Sequence, residues 1–103
     1  MNIDKEVYNE IANILMRHVP DQCSSLWVDA EIEDDNSKQT YDYVNEDGEE
    51  NWFQVPTLNE SLSISRGFRA VRDEMHAQTG DKWKKVRFTV NKDRTFNAEF
   101  EYE

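Results

Sequence analysis

Few side chains in this 103-residue sequence are spaced for catalysis. Cys23 follows His18 by five positions, and a thiol beside an imidazole is the minimum for a nucleophilic pair. No third group is signalled to orient the imidazole, and a lone cysteine most often behaves as a small buried hydrophobe. His76 stands apart, and one Cys with two distant His does not make a tetrahedral zinc set. The run Glu33-Asp34-Asp35-Asn36 offers oxygen ligands, yet it lacks the central Gly and terminal Glu of a calcium loop. Gly48, Gly67 and Gly80 form neither a phosphate loop nor a dinucleotide fingerprint. Neither metal nor cofactor is expected, and the chain does not read as an enzyme.

The remaining chemistry is recognition. Acidic residues number 22 against 12 basic ones, for a formal charge of −10 and a pI near 4.6. Residues 21–60 hold 12 of the acids and a single base, Lys38, so the imbalance belongs to one segment. Such a segment repels a phosphate backbone and attracts a basic partner. Lys82, Lys84, Lys85 and Arg87 flank Trp83, superficially like a nucleic-acid site, but acids on the following strand are placed to neutralise half of them. Direct nucleic-acid binding is therefore not expected. Arg66, Arg69 and Arg72 recur every third position of a helix, off its apolar stripe, as on an ordinary solvated face.

The elements that must position these groups are legible from periodicity. The length suits one domain, residues 1–103. Val7, Ile11, Ile14 and Leu15 predict a helix over about 4–18, capped by Asp4 and stopped by Pro20, with an Ile3–Tyr8 contact at its start. Leu26, Val28, Ala30 and Ile32 then alternate with Trp27, Asp29, Glu31 and Glu33. A second strand runs near 39–44 and a third over 52–55, ended by Pro56. Ile64, Phe68, Val71 and Met75 predict a second helix over about 60–78, capped by Asn59 or Ser61 and closed by Gly80. Gly67 within it suggests close backbone packing. The last two strands alternate cleanly, and pairing Val90 with Phe96, Phe88 with Ala98 and Val86 with Phe100 also sets Arg87 opposite Glu99 and Lys85 opposite Glu101. The expected fold is α+β and two-layered: an antiparallel sheet of about five strands, two helices on one face, in the order α-β-β-β-α-β-β.

That layout leaves one sheet face open. Placing Val28 opposite Tyr43, and Tyr43 opposite Phe53, aligns Trp27, Val44 and Trp52 on that face, with Asp29 across from Asp42. The candidate partner-binding residues are therefore Trp27, Asp29, Glu31, Asp42, Val44, Trp52 and Gln54, with Glu33, Asp34 and Asp35 in the adjoining turn. Exposed tryptophans rimmed by carboxylates have the make-up of a binding hot spot for a basic protein. The opposing reading buries one or both tryptophans under a helix or the N-terminal segment.

Two stretches carry a family likeness. One is Ile14-Leu15 to Val19-Pro20 with Leu26-Trp27-Val28-Asp29-Ala30-Glu31-Ile32; the other is Trp83 to Val90, then Asp93-Arg94-Thr95-Phe96 and Glu99-Phe100-Glu101-Tyr102. The chain resembles the YezG-like family of small bacterial antitoxin and immunity proteins over nearly its full length. Arg94 and Thr95 stand where the family pattern has Gly and Lys, which puts the turn type in question because Arg tolerates positive φ poorly. The resemblance implies a cognate toxin, typically a nuclease domain delivered by contact-dependent or related secretion, bound inside the cell of the producer and its kin. The leading expectation is a stoichiometric, non-catalytic inhibitor of a basic toxin domain. A non-inhibitory acidic interaction module is the alternative. No membrane-spanning run or signal-like segment is read, so a cytoplasmic location is expected. An unpaired sheet edge leaves self-association open.

Overall fold

The computed structural model describes residues 3–102, with side chains described from Lys5 onward. Helix α1 spans Ile3–Met16 and strand β1 Cys23–Ile32; β2 covers Ser37–Asn45 and β3 Glu50–Trp52. Helix α2 spans Leu58–Thr79, followed by β4, Trp83–Asn91, and β5, Phe96–Tyr102. The strands form one antiparallel sheet in the order β3-β2-β1-β4-β5. Both helices bury their apolar stripes on the same face: Ile11, Ile14 and Leu15 from α1, and Ile64, Phe68 and Val71 from α2, join the inward residues of β1 and β4. The α+β two-layer architecture is the expected one.

Helix boundaries differ in ways the caps explain. Helix α1 begins before Asp4, so that residue is inside the helix; the side chains of Ile3 and Asp4, and the Ile3–Tyr8 contact, lie outside the described residues. Tyr8 stacks on Phe88 at 5.2 Å and meets Phe96 edge-on at 5.8 Å. Helix α2 is capped by Thr57, not by Asn59 or Ser61. Thr57 Oγ1 accepts from the Glu60 amide at 3.2 Å and donates to Glu60 Oε1 at 2.8 Å, an N-cap whose Thr-x-x-Glu spacing was visible in the sequence. The other end closes on Gly80, at φ 81°, as expected. Gly67 lies where α2 crosses α1: a Cβ there would stand 3.0 Å from both Val7 Cγ1 and Ile11 Cδ1.

The β4–β5 register is the predicted one, including Arg87 opposite Glu99 and Lys85 opposite Glu101. The meander register is not. Val28 pairs with Tyr41 rather than Tyr43, and Tyr43 with Asn51 rather than Phe53, each a slip of two that keeps every residue on its predicted face. The turns set both shifts. Ile32 and Ser37 close directly around residues 33–36, and Asn45 donates to Glu49 O at 2.9 Å around a three-residue loop. Strand β3 is correspondingly shorter and earlier than the predicted 52–55; Phe53 makes a last bond to Tyr41 O at 3.1 Å and turns into the core. In β4 an irregularity between Trp83 and Lys85 breaks the alternation, and Trp83 enters the core at 0% exposure, against Phe100.

Candidate partner-binding face

The two-residue slip changes which side chains meet on the open face. Trp27 lies opposite Asp42, and Asp42 opposite Trp52, so the row reads Trp52–Asp42–Trp27 across β3, β2 and β1. Val44 is displaced from that row and pairs with Ser25 and Glu50. Asp29 faces Thr40 rather than Asp42. Trp52 is 64% exposed, and Trp27 and Asp42 are half-buried, so neither indole is sealed under a helix.

The central position of β1 supplies what the meander lacked. Its second neighbour is β4, which puts Arg87 opposite Asp29 and Lys85 opposite Glu31. Arg87 forks onto Asp29, with Nε and Nη2 donating at 2.7 and 2.9 Å, while its guanidinium carbon lies 5.8 Å from the centre of the Trp27 ring. This bidentate pair raises the guanidinium pKa further. Charges consequently alternate along the next two rows: Asp29, Arg87 and Glu99 in one, and Lys38, Glu31, Lys85 and Glu101 in the other. These rows line a shallow depression of about 630 Å³. Arg87, Lys85 and Lys38 were not among the predicted site residues. The hairpin register had already turned Arg87 and Lys85 outward, but their neighbour across β1 was not legible.

Asp42 differs from those acids in having no base opposite it, since its cross-strand neighbours are the two tryptophans. Among the described residues its side chain has neither an ion pair nor a hydrogen bond. Its carboxyl is pushed upward, first by burial between its neighbours and then by the charge of Asp29, with Arg87 opposing and Glu50 adding to the rise. Gln54 lies beyond β3 and is exposed. Glu33, Asp34 and Asp35 occupy the β1–β2 turn, at the end of the sheet away from the β2–β3 turn. There Asp34 accepts from Lys82 Nζ at 3.1 Å and Arg72 Nη1 at 3.2 Å, which hold its carboxyl below the usual range. Asp34 ties the turn to the start of β4, because the same Arg72, only 8% exposed, also donates to Trp83 O at 3.1 Å.

The catalytic pair considered from the sequence is not assembled. His18 Nε2 lies 3.1 Å from Glu60 Oε2, and Cys23 Sγ donates to Ser25 O at 3.3 Å, its thiol pushed up by burial. Among the described residues no group of three or more His, Cys, Asp or Glu is arranged to hold a metal ion. No helix among them is long and apolar enough to cross a membrane.

The immunity protein YezG-like family matches residues 5–103. The chain belongs to that family. No curated protein matches it. One local oddity lies in the loop between β4 and β5, where Arg94 adopts φ 69°. The turn is left-handed there although arginine tolerates that conformation poorly.

Proposed function

We propose that this chain is a stoichiometric, non-catalytic inhibitor of a basic toxin domain, a nuclease, and that it binds its toxin inside the cytoplasm through the open face of the sheet. Membership of an immunity-protein family supports a toxin as partner. What supports this face is Asp42, an acid with no ion pair, half-buried between two tryptophans beside an Asp29 already held by Arg87. Nuclease clefts are electropositive because they hold phosphates. An acidic face laid over such a cleft excludes the nucleic acid, and desolvated indoles supply the apolar anchor. Charge attraction speeds encounter and selects the partner more than it adds affinity.

The test is capture from the native cell with the full chain as bait. A basic toxin fragment held one-to-one is expected, and its capture is lost when Trp27 and Trp52 are both replaced by Ala. Retention of the fragment by that double variant would move the interface off this face. The association rate is expected to fall at least about tenfold between low and moderate salt; a flat rate would remove the electrostatic part.

A further inference from the structure

Resting on that reading of the open face, we propose that Trp27, Asp42 and Trp52 form a seat for one arginine side chain of the partner, its guanidinium forked on Asp42 and covered by the indoles. The chain already contains the matching arrangement. One step along the same face, Arg87 forks onto Asp29 while lying over Trp27. This surface therefore already holds a planar cation against a carboxylate and an indole at once, and Arg87 shows the spacing at which it fits.

The row beside it repeats the ingredients without the cation. Strand spacing of roughly 4.8 Å puts Asp42 within side-chain reach of both tryptophans, one on each side. The groups that bear on Asp42 are Asp29 and Glu50, which repel its charge, and Arg87, which is committed to Asp29. An incoming cation would thus relieve repulsion at Asp42 that Arg87 offsets only in part. Arginine is favoured over lysine because it presents two parallel donors and a flat face, whereas an ammonium is a compact and strongly hydrated point charge. Trp52, the most exposed aromatic residue described, gains the cover it lacks in the free protein. The Asp29–Arg87 fork serves as the buttress that holds Trp27 in place.

The seat can be tested without the toxin. The full chain, isotope-labelled, is titrated with N-acetyl-arginine-N-methylamide, with the lysine analogue in parallel, while the three indole N–H signals are followed by NMR. Saturable shifts are expected at Trp27 and Trp52 and not at Trp83, which is buried on the opposite face. Affinity is expected to fall about tenfold in Asp42→Asn and about threefold for the lysine analogue. Unsaturable shifts, equal binding of the two analogues, or undiminished binding by Asp42→Asn would each overturn the proposal. These failures are separate from failure of the interface reading. If the probe does not bind but the double Trp variant still loses the toxin, the face stands and the seat falls; if the probe binds as expected and that variant keeps the toxin, the site takes arginine but not the toxin's, and the interface lies elsewhere.

Discussion

Two acidic residues on one sheet face illustrate how neighbours decide what a carboxylate does. Asp29 is held by a guanidinium; Asp42 has no cation of its own, and its carboxyl is pushed up. A group whose pKa is raised by folding destabilises the native state at neutral pH, and that cost is relieved as the pH falls through the raised value. Replacing Asp42 by Asn should therefore raise the melting temperature of the free protein, by about 2 °C, while weakening toxin capture. Thermal unfolding alongside the capture assay checks both signs. Arg94 is a second residue kept at a cost. The loops 46–48 and 92–94 are built alike: Asp47 and Asp93 each accept from the amide two residues on at 3.0 Å, and the last position is left-handed, Gly48 at φ 86° and Arg94 at φ 69°. Arg94→Gly should stabilise the protein by about 0.5–1 kcal/mol in denaturant melts, the left-handed strain outweighing the added chain entropy.

At the level of elements, helix α2 is fixed by its ends and by one crossing point. Glu60 serves both α2 and the end of α1, since its carboxylate accepts from the Thr57 hydroxyl of the N-cap and also receives Arg17 at 3.2 Å and His18 at 3.1 Å. Its carboxyl is held low, first by His18 and then by Thr57. A lowered carboxyl contributes stability that is present above its unfolded pKa and lost as the pH falls through the lowered value. Glu60→Gln should therefore be less stable at neutral pH and show a flatter decline below the ordinary glutamate value of 4.5, read by urea melts across pH. Gly67 marks the crossing. Gly67→Leu should cost about 2–3 kcal/mol, because its side chain would enter space held by Val7 and Ile11. Helix–helix contact, rather than propensity, is the reason for that glycine.

For the molecule as a whole, the charge of −10 is distributed unevenly in a way that counting residues does not reveal. The alternating rows through Glu31 and Asp29 are matched by bases from β4, and the β1–β2 turn is held by Arg72 and Lys82. Salt should consequently slow toxin association steeply while changing the stability of the free chain little, since exposed internal pairs contribute only about 0–1 kcal/mol each. Stopped-flow association and thermal melts over one salt series separate the two. A parallel loss of stability would mean that the ion pairs hold the fold together.

Most of the architecture was written in local periodicity. The helical spacing of Ile64, Phe68 and Val71 and the alternation from Val86 to Phe100 each describe one element and its immediate neighbour, and both the fold class and the terminal hairpin register follow from them. Side-chain faces survived even the mistaken meander register, because a slip of two preserves the pleat. The tertiary structure decided what depends on distant contacts. Insertion of β1 between β2 and β4 gives Asp29 its arginine, and tight turns put Asp42, rather than Val44, between the tryptophans. A strand's sequence records which side it buries; it does not record which strand lies beside it, and charge pairing on an open sheet is settled by that neighbour.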